Sequence, residues 1–371
     1  MSRRTLLSLV RLSLAAFCFS MAAMAQDTTY GKWVTDPNNL ATAAFVYAPP
    51  PNGFNPLTAS ATELEQFGLP PRPTRSEAER YARWKRMVTA TRMKPELKPT
   101  GIYNGLPRDR RIVSSTDSSI TSTSENWSGY AFVVADDTFA ANNSEVYAEW
   151  IVPAVQQAPG ICTSTPDYSA QWVGFDGDSV STDVLQAGTE ADAGCTHREP
   201  DPSYYAWFEW YPALGVQVSN FPVSAGNGMQ VAVWYTTASP QGHTLLLNQT
   251  TNESALIGFT EPSGATYLGN SAEWIMERPM VGGALPNLPN FGFFGFNDGF
   301  AVNNSGVSYT PGARLRGVTE EQITMVYPPW NPTTTCNGRR GPTDISTFNL
   351  NVGNEGDNTM WFTADPPAGA Q

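Results

Sequence analysis

Short runs of alternating or aromatic-rich residues, separated by Gly, Pro, Asn and Ser, make up the chain from Asn126 onwards. This part of the chain has no convincing amphipathic helical period, so the pattern predicts β-strands. The predicted strands cover residues 129–134, 146–152, 171–175, 205–211, 230–235, 244–247, 272–276 and 322–327. So many short strands over about 250 residues predict a single all-β sandwich or barrel.

Residues 26–111 have a different pattern, which predicts a partly helical segment ahead of the β-rich part. A proline-rich stretch at 48–53 excludes regular structure there. A helix is predicted over 76–88, with Ser76 as its cap and acidic residues in its first turn. Its apolar face would be formed by Tyr81, Trp84 and Val88.

The N-terminus has the pattern of a secretory signal peptide covering residues 1–25. Basic residues precede an apolar run at 12–23, and the small-x-small pattern at 23–25 suits signal peptidase. Arg3 and Arg4 leave both the ordinary and the twin-arginine export route open. No later stretch resembles a membrane helix, so we expect a secreted protein that does not insert in a membrane.

The charge differs sharply between the two parts of the chain. Residues 26–111 hold 13 Lys and Arg against 8 Asp and Glu, whereas residues 112–371 hold 6 Arg, no Lys and 26 Asp and Glu. Such an acidic chain repels itself at neutral pH but loses most of its charge below about pH 4. The composition therefore suits work in acid, although a merely solubilising acidic surface explains it equally well. Its sign excludes nucleic acid as a partner.

Residues 26–111 are interpreted as a basic prosegment that inhibits the acidic part, residues 112–371. The basic tetrapeptide at 108–111, just before a Ser/Thr-rich stretch, is the expected processing site. A basic lid on an acidic cleft would be held electrostatically at neutral pH and released by acid. The alternative is an ordinary N-terminal helical subdomain with an exposed loop.

Cysteine content allows one intrachain disulfide after Cys18 has left with the signal peptide. We expect Cys162 to pair with Cys195, which would close a loop of about 33 residues. Cys336 would then be a free thiol, and the two other pairings remain open.

Several common hydrolase sites are missing from the sequence. The chain has two His and no His-Glu-x-x-His, which argues against a catalytic zinc ion and leads us to expect no metal or cofactor. No Asp-Thr-Gly or Asp-Ser-Gly motif is present. Gly177-Asp178-Ser179 is similar to a serine peptidase nucleophile region, but both His lie downstream and the following residues do not fit.

Four motifs in tryptophan-rich surroundings remain: WVGFDGD (172–178), LQAG (185–188), YAWFEWYP (205–212) and SAEWIME (271–277). In this order, and after the Asn126-Trp127-Ser128-Gly129 start, they resemble the glutamic peptidases of the eqolisin family. The resemblance runs from about Asn126 to Phe296. Residues 311–371 contain no motif of that family and are expected to be an extension.

The resemblance implies a concanavalin-like sandwich of two seven-stranded antiparallel sheets whose concave face holds substrate. It also implies an acid endopeptidase with Gln186 and Glu273 as the catalytic pair and Trp172, Asp176 and Glu209 as supporting residues. The family tends to have an aspartate four residues after the glutamine, where this chain has Glu190 followed by Asp192. Which of the two carboxyls supports the site is left open.

In peptide hydrolysis, Glu273 and Gln186 would have different roles. A glutamate with an ordinary pKa of about 4.3 exchanges its proton at acid pH, and packing beside Trp274 would raise the pKa of Glu273 further. The uncharged amide of Gln186 can donate to the oxyanion. Glu149 is a rival, since Ala148-Glu149-Trp150-Ile151 repeats the sequence around Glu273. The resemblance decides for Glu273, because Glu149 matches a non-catalytic glutamate.

The expected protein is a monomeric, self-processing endopeptidase that acts on proteins or peptides. Two alternatives use the same architecture. A carbohydrate-binding sandwich would use the aromatic surface for stacking on sugars. A glycoside hydrolase would need two facing carboxyls, which the glutamine at position 186 does not supply.

Overall fold

Two layers of β-sheet, packed face to face, form most of the protein. The computed structural model describes residues 30–34, 43–74, 76–104, 111–116, 118–157, 162–178, 181–313, 315–326, 344–352 and 358–364. The predicted signal peptide, residues 108–110 of the expected processing site and Cys336 lie outside these residues. Among the described residues, no helix is long and apolar enough to span a bilayer.

The elements of the described residues include two helices, both near the N-terminus. In chain order they are β1 (Gly31–Val34), β2 (Ala44–Tyr47), α1 (Ala61–Gln66), α2 (Ala78–Thr89), β3 (Thr91–Arg92), β4 (Leu97–Pro99), β5 (Ile102–Tyr103), β6 (Arg111–Ser115), β7 (Ser119–Ser124), β8 (Trp127–Val133), β9 (Ser144–Ile151), β10 (Ala170–Phe175), β11 (Val184–Thr196), β12 (Glu199–Tyr211), β13 (Val216–Val218), β14 (Gly228–Tyr235), β15 (Gly242–Asn248), β16 (Glu253–Phe259), β17 (Ser271–Glu277), β18 (Met280–Val281), β19 (Phe293–Val302), β20 (Ser308–Tyr309), β21 (Thr319–Val326), β22 (Asp344–Val352) and β23 (Asn358–Ala364).

The pairing of these strands defines the two layers. The first sheet has the order β4-β13-β12-β11-β10-β17-β8-β21-β7-β6, and the second has the order β1-β2-β16-β15-β14-β9-β19-β23-β22. A pairing of β21 with β22 joins their edges. Neighbours are antiparallel except for β7 with β21 and a short β3 beside β16. The predicted antiparallel sandwich is confirmed.

All eight predicted strands are present, but several others were missed. The most important is β11, a 13-residue strand that carries Gln186. Its buried polar residues interrupt the apolar pattern by which strands are recognised. It forms a long hairpin with β12 through a two-residue turn at His197 and Arg198, both with positive φ, as a tight turn between twisted strands requires.

A continuous apolar core fills the space between the two sheets. Trp150, Trp210 and Trp274 are each at most 1% exposed in it, together with phenylalanines from both layers. The indole Nε1 of Trp150 donates to Thr189 Oγ1 at 3.0 Å, so a polar group of β11 is satisfied across the core. This packing fixes which side chains of each strand point away from the core.

The N-terminal segment contains the predicted helix, shifted by one to two residues. Helix α2 begins after Glu77 rather than Ser76, and the Ser76 hydroxyl bonds Thr74 instead of capping the helix. A second helix, α1, was not predicted although it has a full capping box formed by Ser60 and Glu63. The predicted apolar face is confirmed, since Trp84 and Val88 are buried.

This segment packs on the outer face of the second sheet. Strand β2 extends that sheet by pairing with β16, and the helices cover Tyr147 and Phe300. Three arginines of α2 meet carboxyls of the sheet, in the pairs Arg80–Glu145 (2.9 Å), Arg83–Asp298 (3.0 Å) and Arg86–Glu149 (3.3 Å). The expectation of a basic lid over the substrate face is therefore wrong for the described residues, whose ion pairs lie on the back of the molecule.

Only the end of the segment reaches the first sheet. Strand β4 pairs with β13, and β5 pairs with β18. The chain from residue 97 to Asn104 thus runs along one edge of the first sheet and then onto its outer face.

The described strands within residues 311–371 belong to the sandwich, which corrects the expectation of an extension for these strands. Strand β21 lies beside β8 in the first sheet, and β23 lies beside β19 in the second. The expected Cys162–Cys195 disulfide is present and links the loop before β10 to the tip of the β11–β12 hairpin.

Candidate active site

Strand register brings Gln186 and Glu273 to the two sides of one glycine. Strand β10 lies between β11 and β17, and its Gly174 is paired with Gln186 on one side and with Glu273 on the other. Leu185 and Trp274, their chain neighbours, point into the core. Since successive side chains alternate, Gln186 and Glu273 both lie on the outer face, with backbones two strand spacings, about 10 Å, apart.

Gly174 is what lets the two side chains face each other. A Cβ at this position would lie 2.9 Å from Gln186 Cβ and 2.8 Å from the carbonyl oxygen of Leu185. Any larger residue would therefore fill the space between the amide and the carboxyl. The Gln186 carboxamide makes no hydrogen bond with any described residue, so its NH2 group is not committed to the protein scaffold.

Glu209 lies on the same face as Gln186 and Glu273, on the side of Gln186 away from Gly174. It is paired with Gln186 across β11 and β12, and it is 1% exposed. Its Oε2 accepts the backbone NH of Asn104 at 2.8 Å, which brings the end of the N-terminal segment into the site. Burial raises the pKa of Glu209 well above its usual range, against the opposing effect of that hydrogen bond, so the group is neutral in acid.

Trp172, which was expected to support the site, belongs to a patch of tryptophans next to Gln186, Glu273 and Glu209. Trp172 lies one pair further along β10, with its ring 5.1 Å from that of Trp127, and Trp207 faces it across β11. The indole Nε1 of Trp172 donates to Glu277 Oε2 at 2.6 Å. Trp274 does not belong to this patch. Its Nε1 donates to the Tyr147 carbonyl across the core, so the expectation that it packs beside the Glu273 carboxyl is wrong.

Glu190 and Asp192 lie on the same face but further from the pair. Glu190 follows Gln186 by four residues along β11, which is about 13 Å in an extended strand. Burial, reinforced by the charge of Asp192, raises the pKa of Glu190, and burial raises the pKa of Asp192 to about 7. The two adjacent carboxyls titrate together, and neither lies beside Gly174.

Asp176 acts on the backbone that leads into β17. Its carboxylate accepts the NH groups of Leu268 (2.7 Å), Gly269 (3.0 Å) and Asn270 (2.9 Å), just ahead of the strand that carries Glu273. It is fully buried and has φ of 65°. Burial raises its pKa to about 6 despite these hydrogen bonds. Its geometry is that of a residue that positions the strand.

Two acidic residues of this face were given no role from the sequence. Glu277 bonds Trp172, and its spacing of four residues from Glu273 in a strand could have placed it on the same face. Glu321 of β21 is paired with Ala131, which in turn is paired with Glu273, and it accepts a hydrogen bond from Ser122. No local signal connects Glu321 to the site, because β21 follows β17 by more than forty residues.

The rival Glu149 lies elsewhere. It is on the outer face of the second sheet, where its carboxylate accepts from Gln230 (3.1 Å) and Gln249 (2.8 Å). His243 is buried between Trp234 and Tyr47 on that same side. Across the described ranges, no three His, Cys, Asp or Glu side chains come together in a way that could hold a metal ion.

The sequence is similar to those of known peptidases. A sequence model of the Peptidase A4 family matches residues 125–335, beyond the 126–296 range of the resemblance noted above. Aspergillopepsin-2 of Aspergillus niger is 27% identical over 209 residues, which cover 53% of this chain and 70% of that protein. Scytalidopepsin B of Scytalidium lignicola is 28% identical over 168 residues, covering 45% and 55% respectively.

Two solved structures are also similar to this chain. A scytalido-glutamic peptidase with a peptide-based transition-state analogue superposes with a TM-score of 0.47 at 22% identity, covering 65% of this chain and 98% of that one. For aspergilloglutamic peptidase from Aspergillus niger the TM-score is 0.39 at 24% identity, with 53% and 99% covered.

The buried carboxyls predict a protein that is more stable in acid than at neutral pH. Burial raises the pKa of Asp176 to about 6 and of Asp183 and Asp192 to about 7, and it also raises the pKa of Glu190 and Glu209. A raised pKa means that the folded state prefers the protonated form. The resulting stability is complete below the ordinary pKa of about 4 and is lost as the pH rises through these values.

We therefore expect the Tm of the Glu273→Gln chain to be at least about 5 °C higher near pH 4.5 than near pH 7.5, since about 1 kcal/mol moves the Tm of a large domain by about 2–4 °C. Burial lowers the pKa of His243 to about 3, so this group lowers the stability in acid. It is a single group, whereas five carboxyls act in the other direction. Glu190→Gln should reduce the difference, whereas Glu199→Gln at an exposed position should not. A Tm that rises towards neutral pH would contradict this reading.

Proposed function

The chain belongs to the peptidase A4 family and is a glutamic peptidase, and from this premise we propose that Gln186 and Glu273 are its catalytic pair in a secreted, self-processing acid endopeptidase. The observation that supports the pair is the register, which sets both residues against Gly174 on one face. Supporting positions are proposed for Trp172, Asp176 and Glu209, with Glu190 contributing only at a distance.

The proposed reaction needs one proton carrier and one oxyanion donor. The Glu273 carboxylate takes a proton from a water molecule, whose oxygen attacks the scissile carbonyl carbon. The carbonyl oxygen becomes negative and accepts a hydrogen bond from the Gln186 NH2 group. Protonated Glu273 then gives its proton to the leaving nitrogen, and the C–N bond breaks. One water is consumed, and Glu273 returns to the carboxylate.

The surrounding electrostatics suit work in acid. Glu209 and Glu190 have raised pKa values, so they are protonated near pH 4 and add no negative charge near the developing oxyanion. The pKa of the neighbouring Asp192 is raised to about 7, so this carboxyl begins to ionise at neutral pH, on a face that has few cations. Activity should therefore be confined to the pH range in which these carboxyls are neutral.

The prosegment is proposed to inhibit through its extended end rather than through its charges. Thr100 N donates to the Gly215 carbonyl at 2.9 Å, and Gly215 N donates to the Ile102 carbonyl at 3.2 Å. Further along the segment, β5 pairs with β18, which follows β17. Together with the Asn104 bond to Glu209, these contacts hold the chain across the substrate face beside Gln186.

Export and maturation complete the proposal. The signal peptide of residues 1–25 would direct secretion, and cleavage near residues 108–111 would separate the inhibiting stretch from the catalytic domain. The neutral character of residues 99–104 fits a peptide that occupies a substrate path, since this stretch has no charged side chain.

Replacing Glu273 by Gln tests the pair. The substitution keeps the size and hydrogen-bonding capacity of the side chain but removes its exchangeable proton, so hydrolysis of a denatured protein near pH 3.5 should fall by at least about 10³-fold. Glu149→Gln, in the repeated motif, should keep nearly full activity. Both variants should keep the Tm of the unchanged protein. Activity that survives in the folded Glu273→Gln variant would refute the proposed pair.

Weakening the extended end tests inhibition. Ile102 is 5% exposed, its carbonyl accepts from Gly215 and it is paired with Val281, so Ile102→Ser should loosen the stretch. At a pH where the unchanged precursor stays intact on a gel, the variant should hydrolyse a short quenched peptide roughly 10-fold faster, which corresponds to about 1.4 kcal/mol of lost contact. Lys98→Ala, at an exposed position of β4, is the matched control. Equal rates for all three precursors would exclude this mode of inhibition.

A further inference from the structure

The outer face of the second sheet is apolar where the N-terminal segment covers it. Its covered side chains are each at most 6% exposed, and they come from five strands of the catalytic domain: Tyr147, Trp234, Leu245, Leu247, Leu256 and Phe300. Such a face is far larger than the scattered apolar residues of an ordinary surface.

The segment meets this face with a core of its own. Phe45, Tyr47, Trp84, Met87 and Val88 are each at most 7% exposed and form one cluster with the covered side chains. The guanidinium groups of two arginines of α2 lie 5.7 and 5.9 Å from the ring of Phe300. These contacts have the character of an interior rather than of a removable cover.

The backbone of the segment also closes an edge of the sheet. Val46 and Phe45 of β2 are paired with Ile257 and Gly258 of β16, and β3 pairs with the start of the same strand. Without the segment, β16 would present a row of unpaired NH and CO groups, a feature that soluble proteins avoid.

The end of the segment is attached in a different way. Residues 97–104 are held by short strand pairings and single hydrogen bonds at the rims of the substrate face. Of its side chains there, only Ile102 and Asn104 are buried. Once its C-terminal side is cut, this stretch has little to keep it in place.

We propose that residues 31–92 remain bound to the second sheet after processing, so that the mature enzyme consists of two chains and only the stretch at 97–104 leaves the substrate face. The inference rests on the proposed processing near residues 108–111. Residues 31–92 lie outside the range that matches the family, so they would be a structural subunit added to the family domain.

Acid loosens this contact without abolishing it. Arg80, Arg83 and Arg86 form ion pairs here with Glu77, Glu79, Glu145, Glu149 and Asp298. Burial raises the pKa of Asp298, so its protonation in acid removes one partner of Arg83. His243, which faces Tyr47, Thr236 and Trp234 near Glu65 and Arg72, would gain a proton on exposure, so it favours release as the pH falls below its ordinary pKa of about 6.5. The apolar face and the paired edge do not titrate.

The composition of the activated enzyme tests the proposal. The full-length protein is brought to about pH 4 until it is fully active, and is then analysed by size-exclusion chromatography and native mass spectrometry at that pH. We expect a one-to-one complex of the catalytic chain with a fragment that contains residues 31–92. A fully active catalytic chain without the fragment would overturn the proposal. Where self-processing fails, an added acid endopeptidase makes the cut in the Glu273→Gln chain, so retention is read independently of the catalytic proposal.

A change within the segment gives a second test on the activated enzyme. Tyr47→Ala removes a buried ring whose hydroxyl lies 3.4 Å from His243 Nδ1, and it should lower the Tm of the activated enzyme by about 5 °C or more. Lys85→Ala, on the exposed side of α2, should leave the Tm unchanged. If the segment were lost on activation, neither substitution could affect the mature enzyme, so equal Tm values would also overturn the proposal.

Discussion

The pairing of β10 with strands on both of its sides is the constraint on which the site depends. Because Gly174 is paired with Gln186 and with Glu273, the distance between the two is set by the spacing of hydrogen-bonded strands. A slip of one residue in either pairing would turn one of them into the core. Asp176 opposes such a slip by binding three backbone NH groups ahead of β17. The relative position of Gln186 and Glu273 is thus a property of the sheet rather than of loops.

The same burial that fixes the geometry explains the relation to acid. A face with buried carboxyls such as Glu190, Asp192 and Glu209 is tolerable only when most of them are neutral. The N-terminal segment adds two further relations. Its extended end reaches Glu209 on the outer face of the first sheet, while its helices and β2 pack on the second sheet. The proposed inhibition and the structural support would therefore be carried by different parts of one segment.

The sequence predicted the sandwich and most strands, because period-two alternation reports directly on burial. It failed for β11, where Gln186 and Glu190 are polar and yet buried, so that burial and hydropathy disagree. The predicted side-chain direction of Trp274 was also wrong. Side chains alternate along a strand, so a strand that directs Glu273 outward directs Trp274 into the core. Net charge predicted that the two parts attract each other but could not locate the contact, which lies on the back sheet at Glu145 and Asp298. Likewise, local sequence could not separate Glu149 from Glu273, since only the strand order decides which face each occupies.

The central claim is that Gln186 and Glu273 act together across Gly174. Its most direct test is the kcat of Gly174→Ala on a peptide substrate near pH 3.5. The added methyl group would lie 2.9 Å from Gln186 Cβ, so it should hold the amide and the carboxyl apart and lower kcat by at least about 10²-fold in a folded protein. Gly228→Ala on β14, where the nearest atom is the end of a flexible glutamine side chain, controls for the loss of a strand glycine. A folded Gly174→Ala variant with the kcat of the unchanged enzyme would contradict the account.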